Sequence, residues 1–339
     1  MHYTGQTFRP PREAYSPLLE VTVGCSHNQC TYCAMYKDVS FRKAPKEQIL
    51  ADLRELSAYA DRIDRIFLLN GDPFVLDAEY LLEIAGWIHE YLPHVETITC
   101  YASIYNLKNK SQEDLKRLRA AGYNQLYIGI ETAHDPTLKR IKKGCTQEDE
   151  YRELAKLEEA GMDWICMVMA GIAGEEDSFT HAEETAVLLN KHQPRSVAPL
   201  TTTVHPNTEL AEEVRRGDFV PLTEGDILLE EIHLLEHLDL HPRALFFGIH
   251  AYNAAPVIGR FSEKEEMLAK LRAAYEGMSD EERNMRRQRY GYWWCVIYTN
   301  GLKLFAAAPI SPCRDTRDEW PSISICPTIG RKLRGRTIF

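Results

Sequence analysis

The sequence has no apolar run long enough to cross a membrane. No uninterrupted apolar stretch reaches the roughly 18 residues that a spanning helix needs, so the sequence excludes an integral membrane protein. The opening MHYTGQTFRPPREAY is polar and contains no apolar core, so we expect no secretory signal there. No internal repeat and no low-complexity tract is present, and 339 residues are enough for one large catalytic domain or two small ones.

Basic residues are fewer than acidic residues in this sequence. The chain contains 40 Lys and Arg against 50 Asp and Glu, a formal net charge of -10, which argues against a dominant grip on nucleic acid. An acidic enzyme that acts on tRNA through one local basic patch stays open. The 9 cysteines are an odd number in a long chain without an export signal. They indicate cytoplasmic thiols or metal ligands rather than a disulfide framework, so we expect a cytoplasmic protein.

Short apolar runs alternate with amphipathic stretches about six times over the first 240 residues. The apolar runs are LLEVTV (18–23), RIFLLN (65–70), ETITCY (96–101), QLYIGI (125–130), WICMVMAG (164–171) and SVAPLTTTV (196–204). Strands that are buried on both faces and alternate with helices predict a parallel α/β sheet. The pattern does not separate an open sheet from a barrel, but in both arrangements ligands bind at the carboxyl ends of the strands.

Three cysteines follow the first predicted strand, in the segment GCSHNQCTYC. Cys25, Cys30 and Cys33 form a Cys-x4-Cys-x2-Cys pattern, and soft thiolate ligands select zinc, copper(I) or an iron–sulfur cluster. A structural zinc site needs four protein ligands, yet the next Cys or His after this segment is His89. Three cysteines and an open corner suit a [4Fe–4S] cluster. The alternative is a zinc-stabilised binding module, closed by His27 or a distant residue.

This segment resembles the cysteine motif of the radical S-adenosylmethionine (SAM) superfamily. The family motif is Cys-x3-Cys-x2-Cys with an aromatic residue before the last cysteine. Here Tyr32 occupies the aromatic position, and the first gap is one residue longer. The resemblance extends over residues 15–240 and is similar in motif style to methylthiotransferases and their relatives. It implies an α/β fold built as a partial (β/α)6 TIM-like barrel with a C-terminal extension.

Four more segments carry the resemblance, each at the end of a predicted strand: LLNGDPF, YIGIETAHDPTLKRIKKGCTQEDE, MVMAGIAGEEDSF and HPNTEL. In the family the first holds the methionine amino group, the second the ribose and the carboxylate, and the third the adenine. Ile172 and Ala173 replace the Phe and Pro of the family pattern, and Asn207 replaces a glycine. The cofactor-binding residues that the resemblance implies are Tyr32, Gly71, Asp72, Pro73, Glu131, Lys143, Ile172 and Gly174.

The resemblance implies an enzyme with a [4Fe–4S] cluster and SAM as its cofactors. Such an enzyme cleaves SAM reductively to a 5′-deoxyadenosyl radical, which abstracts hydrogen from a substrate carbon. It works anaerobically and needs a one-electron reductant of the flavodoxin or ferredoxin type. The acidic composition favours a small-molecule substrate over RNA, and we expect no membrane partner. No motif indicates the substrate or a catalytic residue that acts on it.

The charge changes sign near Ser279, since residues 281–339 hold 11 Lys and Arg against 5 Asp and Glu. We therefore predict a core domain over 1–240, a strand and a helix over 241–278 that complete or flank the barrel, and a basic, aromatic extension over 279–339. The extension is expected to add little to the barrel, although its run GYWWCVIY would suit a cover over the open side. Cys295, Cys313 and Cys326 do not match the spacing of an auxiliary cluster, and we interpret them as incidental thiols.

Overall fold

The computed structural model describes residues 1–286 of the chain. The strands are β1 (Leu18–Glu20), β2 (Thr22–Val23), β3 (Arg42–Lys43), β4 (Arg65–Leu69), β5 (Thr97–Ala102), β6 (Gln125–Glu131), β7 (Asp163–Ala170), β8 (Ser196–Thr201), β9 (Leu245–Gly248) and β10 (Val257–Arg260). The helices are α1 (Lys46–Leu56), α2 (Ala78–Tyr91), α3 (Ile104–Lys108), α4 (Gln112–Ala120), α5 (Asp135–Arg140), α6 (Gln147–Glu159), α7 (Ser178–His192), α8 (Glu209–Arg216), α9 (Glu224–His237), α10 (Lys264–Gly277) and α11 (Asp280–Arg283).

Eight strands form one sheet in the order β1-β4-β5-β6-β7-β8-β9-β10. The pairs from β1 to β9 are parallel, and the pair of β9 with β10 is antiparallel. Each strand after β4 therefore joins the sheet beside the strand that precedes it in the chain. Within residues 1–286, β1 and β10 do not pair with each other, so the sheet stays open along one side. The predicted α/β class with a partial barrel is confirmed.

The two faces of the sheet pack against different partners. Successive side chains of a strand point to opposite faces. Ile66 and Leu68 of β4 join the large core beneath the helices, whereas Phe67 and Leu69 belong to a smaller cluster on the inner face. Burial of both faces explains why the sequence of these strands is almost continuously apolar.

The N-terminal segment, residues 1–17, lies beside the edge strand β1 and then reaches β4. The Thr4 amide donates to a Glu20 carboxylate oxygen at 2.7 Å, at the carboxyl end of β1. The Phe8 ring packs edge-on against Tyr36, with 5.3 Å between the ring centroids. Glu13 then contacts Arg65, the first residue of β4. No sequence pattern predicted a role for this segment.

The strand and the helix expected over 241–278 are β9 and α10, while β10 was not predicted, because four residues that include a glycine give too short a pattern. Residues 279–286 bury no side chain of α11, but the Met285 carbonyl accepts a hydrogen bond from the Glu224 amide at 2.9 Å. The GYWWCVIY run and the cysteines of the extension lie outside the described residues. Within 1–286, no helix combines the length and the apolar character that crossing a bilayer requires.

Candidate active site

A cavity of about 280 Å³ lies against the inner face of the sheet and collects most of the residues that the sequence singled out. It is lined by Cys25, Cys30, Tyr32, Cys33, Gly71, Asp72, Glu131 and Lys143, among others. Pro73, Ile172 and Gly174 lie outside this lining within the described part of the chain. Gly174 is pressed against Phe219 instead, since a Cβ there would come within 2.8 Å of that ring. The contact of these three residues with SAM stays a prediction.

The cysteine loop begins directly after β2. Cys25, Cys30 and Cys33 are free, half-buried thiols. Burial raises the pKa of Cys33 to about 12, and the neighbouring Cys30 and Cys25 add to the rise. Burial likewise raises the pKa of Cys25, and the nearby Asp72 carboxylate acts in the same direction. The loop therefore concentrates sulfur ligands that become thiolates when metal ions supply positive charge.

The number of protein ligands distinguishes between the two kinds of metal centre. A structural zinc site is closed by four protein ligands, whereas three thiolates suit a [4Fe–4S] cluster with one iron open to another ligand. His27, the candidate for a fourth zinc ligand, uses Nε2 for a hydrogen bond with the Lys142 carbonyl at 2.6 Å, and its side chain also forms a hydrogen bond with Cys30. The zinc-stabilised module is not supported.

The loop after β4 packs directly against the cysteine loop. The Gly71 amide donates to the Gly24 carbonyl at 3.2 Å. Any side chain at Gly71 would collide with Tyr36, because a Cβ would come within 2.3 Å of that ring. Asp72 is buried and accepts a hydrogen bond from the Ser26 hydroxyl. Burial raises the pKa of Asp72, and this hydrogen bond opposes the rise.

A buried lysine forms hydrogen bonds with the backbone of the same loop. Lys110 is 3% exposed, and its ammonium donates to the carbonyls of Phe74 at 2.5 Å and Leu76 at 3.0 Å. Burial lowers the pKa of Lys110 to about 8. No sequence motif indicated this lysine, since its partners are backbone carbonyls of a loop more than thirty residues earlier. Lys110 positions the segment that carries Gly71 and Asp72.

Glu131 and Lys143 form an ion pair at the end of β6. Lys143 Nζ lies 2.7 Å from Glu131 Oε1, and the two side chains are 9% and 10% exposed. The register shifts between Gly129 and Glu131, and Glu131 has a φ of 64°, which is a strained conformation for a residue other than glycine. A Cβ at Gly129 would lie 2.4 Å from Glu131 Oε1, so the pair requires glycine at that position.

The Glu131–Lys143 pair also interacts with the cysteine loop, through Tyr32. Burial lowers the pKa of Lys143, but the Glu131 carboxylate more than offsets that effect and holds the pKa above its ordinary value. Tyr32 forms a hydrogen bond with Glu131, and burial together with this carboxylate raises the pKa of Tyr32. Residues assigned by motif to different parts of SAM therefore contact one another.

The remaining walls of the cavity come from two sources that the motifs did not indicate. Apolar side chains of the sheet, including Ile165, Met167, Met169 and Phe247, form one wall. The N-terminal segment forms another, with Phe8, Arg9, Pro10, Pro11 and Arg12. The sequence FRPPR was visible, but nothing in it indicated which part of the fold it would meet.

A second group of possible ligands lies on the outer surface, where α7 and α9 meet. The ligand atoms of Glu183, His233 and His237 lie within 4.8 Å of one another, and His233 Nε2 is 2.8 Å from Glu183 Oε1. The two histidines are four residues apart on α9 and so share one helix face. No sequence pattern indicated this group, because Glu183 belongs to a different helix from the two histidines.

The family model described as the radical SAM superfamily matches residues 19–186. The heme chaperone HemW of Bacillus subtilis (strain 168) is 27% identical over 237 residues, which cover 67% of this chain and 59% of HemW. The 4′-phospho-dehydrooxetanocin synthase of Priestia megaterium is 24% identical over 198 residues, covering 50% of this chain and 26% of that protein. The chain thus spans less than two thirds of the length of either relative.

The fold also matches a solved structure. The radical S-adenosylmethionine methyltransferase TsrM from Kitasatospora setae, with tryptophan substrate and the SAM analogue aza-SAM bound, has a TM-score of 0.51 at 17% identity. The match covers 61% of this chain and 40% of TsrM. At this identity the likeness supports the fold, and the chemistry has to be argued from the residues that line the cavity.

Proposed function

Because the chain belongs to the radical SAM superfamily, we propose that it is an enzyme that cleaves SAM reductively and starts radical chemistry on a small-molecule substrate. The observation that carries the proposal is the convergence of Cys25, Cys30 and Cys33 with Gly71, Asp72, Glu131 and Lys143 on one cavity. Its cofactors are a [4Fe–4S] cluster and SAM. When bound, they supply a 5′-deoxyadenosyl radical that removes hydrogen from a substrate carbon.

The chain's own residues hold and orient these groups. Cys25, Cys30 and Cys33 would hold the cluster as thiolate ligands, which would leave one iron available to SAM. The backbone of the loop that carries Gly71, Asp72 and Pro73 receives the methionine amino group. That loop is kept in place by its contact with the cysteine loop, so the cluster ligands and the amino-group site share one rigid unit.

The Glu131–Lys143 pair and the residues near it bind the nucleoside and the carboxylate of SAM. Glu131 accepts hydrogen bonds from the ribose hydroxyls, and Lys143 faces the carboxylate. Tyr32 supports Glu131 from the cysteine loop, while Ile172 and Gly174 receive the adenine. The core domain over residues 1–240 contains all of these residues.

The apolar wall keeps water away from the reacting atoms. Ile165, Met167, Met169 and Phe247 offer neither donors nor acceptors of ordinary strength along this part of the cavity. Exclusion of water prevents side reactions of a reactive intermediate. We propose a one-electron reductant of the flavodoxin or ferredoxin type as partner, and a cytoplasmic location, because free thiols persist in a reducing compartment.

The function is tested on the anaerobically reconstituted protein after chemical reduction. We expect conversion of SAM to 5′-deoxyadenosine even without substrate, and we expect Cys30→Ala to abolish both bound iron and product. Cys145→Ala is the matched control, since Cys145 is a half-buried free thiol outside the cavity lining. Normal turnover by Cys30→Ala would show that the cluster ligands are assigned wrongly.

A further inference from the structure

The ligand group of Glu183, His233 and His237 has no part in the proposed function. A carboxylate oxygen of Glu183 and one ring nitrogen of each histidine lie within 4.8 Å of one another. Glu183 belongs to α7, and both histidines belong to α9. Bonds of about 2.0–2.1 Å to a tetrahedral zinc ion bring nitrogen and oxygen ligands to about 3.3 Å from each other. Small movements of surface side chains are therefore enough for all three atoms to bind one ion.

A hydrogen bond of His237 leaves one of its ring nitrogens ready for a metal. Nδ1 of His237 lies 2.8 Å from the His233 carbonyl oxygen. A carbonyl oxygen only accepts, so Nδ1 carries the proton, and Nε2 of the neutral ring keeps its lone pair. Histidines that bind metals usually donate their other ring N–H to a carbonyl or a carboxylate in this way. The backbone of α9 therefore favours the tautomer of His237 that a metal ligand requires.

His233 and Glu183 already meet at the same place. Nε2 of His233 lies 2.8 Å from Glu183 Oε1. A divalent ion can replace the proton between these two atoms, because both the imidazole nitrogen and the carboxylate are metal ligands. The His233 ring also packs against Phe179 and His237, with 4.6 Å and 4.2 Å between the ring centroids. This packing restricts the ring and lowers the entropy that is lost on binding.

The two helices that carry the ligands are joined beside the group. Asn190 of α7 donates from Nδ2 to the His237 carbonyl at 2.8 Å, and its Oδ1 accepts from the Asp239 amide at 2.6 Å. Asn190 lies about two helical turns after Glu183 on α7. These bonds fix the relative position of α7 and α9 where the ligands meet, and a metal site requires such preorganisation.

We propose that Glu183, His233 and His237 bind a zinc ion that links α7 to α9. Two imidazoles and a carboxylate are a ligand set that zinc uses in open sites, where water takes the fourth position. Imidazole nitrogens do not suit Mg²⁺ or Ca²⁺, which prefer oxygen ligands. Glu183 and His237 are exposed, and His233 lines a surface cavity of about 310 Å³ that α10 also borders, so water can reach the ion.

Zinc bound here stabilises the folded chain. Glu183 and His233 are 50 residues apart in the sequence, so the unfolded chain does not hold the three ligands together. An ion that binds the folded state more tightly than the unfolded state raises stability. The inference is independent of the proposed function, because all three residues lie outside the lining of the cavity beside the cysteine loop.

The test titrates zinc chloride by calorimetry into the full-length, reconstituted protein, after a chelator has removed loosely bound metal. With the cluster in place, the cysteine loop does not compete for the added ion. We expect one zinc to bind per chain, and no binding of magnesium chloride. X-ray absorption at the zinc edge should give ligand distances of about 2.0–2.1 Å, which are typical of nitrogen and oxygen, rather than about 2.3 Å, which is typical of sulfur.

His237→Ala and Glu183→Gln should each weaken zinc binding at least about tenfold, because even the loss of a residue that only supports a ligand costs about 10–100-fold. Zinc should raise the melting temperature of the unsubstituted chain more than that of either variant. His94→Ala is the matched control, because His94 is another exposed histidine and lies outside the group.

If His237→Ala fails to fold, Glu183→Gln decides. Zinc–sulfur distances in the unsubstituted protein, no zinc binding by that protein, or equal zinc affinity in Glu183→Gln would contradict the proposal. The readouts are bound metal and melting temperature, so they test the zinc site whether or not the protein cleaves SAM.

Discussion

The two sides of the cavity differ in the groups that line them. On the cysteine side, Glu131 is matched by Lys143, and burial together with nearby negative charge raises the pKa of Cys25 and Cys33. That side is completed by positive charge, which a metal cluster brings. On the side of the N-terminal segment, Arg65 is paired with Glu13, and the side chains of Arg9 and Arg12 line the cavity nearby. The cavity thus holds sulfur ligands at one side and arginine side chains at the other.

We expect the largest effect from a substitution that breaks the Glu131–Lys143 ion pair on the cysteine side. Glu131→Gln keeps the shape of the side chain but removes its charge, so Lys143 loses its partner and the ribose loses a strong acceptor. We expect kcat/KM for SAM cleavage to fall about a hundredfold, equivalent to about 2.7 kcal/mol, with unchanged iron content. Glu148→Gln, on the exposed side of α6, is the control. Full activity of Glu131→Gln would remove Glu131 from the cofactor site.

The next effect concerns the loop that joins the cysteine side to the sheet. Lys110→Met leaves the Phe74 and Leu76 carbonyls without their donor, and we expect the free energy of unfolding to fall by about 2 kcal/mol. Denaturant titration measures the loss, and Lys270→Met, at an exposed position of α10, should change stability by less than about 0.5 kcal/mol. A neutral Lys110→Met would show that the loop holds its position without this lysine.

Two buried tyrosines allow the stability contribution of a hydrogen bond to a charged group to be compared with that of a hydrogen bond to a neutral group. Tyr127 donates to the Glu13 carboxylate at 2.6 Å, and Tyr123 donates to the Leu81 carbonyl at 2.9 Å. Hydrogen bonds to charged groups contribute about twice as much as neutral ones. We expect Tyr127→Phe to cost about 1.5 kcal/mol and Tyr123→Phe about 1 kcal/mol, measured by chemical unfolding. The reverse order would mean that Glu13 is held by Arg65 alone.

We expect the smallest effect from the titration of a buried carboxyl group outside the cavity lining. Glu231 on α9 has a buried oxygen without a hydrogen-bond partner, and burial, together with Glu230, raises its pKa to about 8. Unlike an arginine, it avoids an unmatched charge by staying protonated. Between its unfolded and folded pKa values, the folded state holds more protons than the unfolded state. Stability therefore falls as the pH rises.

We expect the free energy of unfolding of the unsubstituted chain to drop by about 1 kcal/mol between pH 6 and pH 7 because of this group. The comparison is with Glu231→Gln, which cannot titrate and should lack this part of the pH dependence. Parallel pH profiles for the two proteins would show that Glu231 is ionised in the folded state.

Much of the cysteine side was predictable because its residues follow strand ends in a fixed order. Gly71 and Glu131 lie directly after apolar runs and Cys25 lies two residues after one, and parallel strands bring their carboxyl ends together. Arg9 and Arg12 were not predictable in this way, since residues 1–17 belong to no periodic element. Their neighbours Arg65 and Tyr127 are more than fifty residues away in the chain. The burial of Lys110 and Glu231 was not predictable either, because it depends on contacts that form only in the folded chain.

Whether the cysteine loop holds an iron–sulfur cluster is decided by the metal content of the anaerobically reconstituted protein, measured together with its electron paramagnetic resonance spectrum after reduction. His237→Ala serves beside the unsubstituted chain, so that zinc held by the exposed Glu183, His233 and His237 group is not counted as zinc of the cysteine loop. We expect about four irons per chain and a reduced-cluster signal that changes when SAM is added. One zinc per chain in His237→Ala, with no cluster signal, would contradict it.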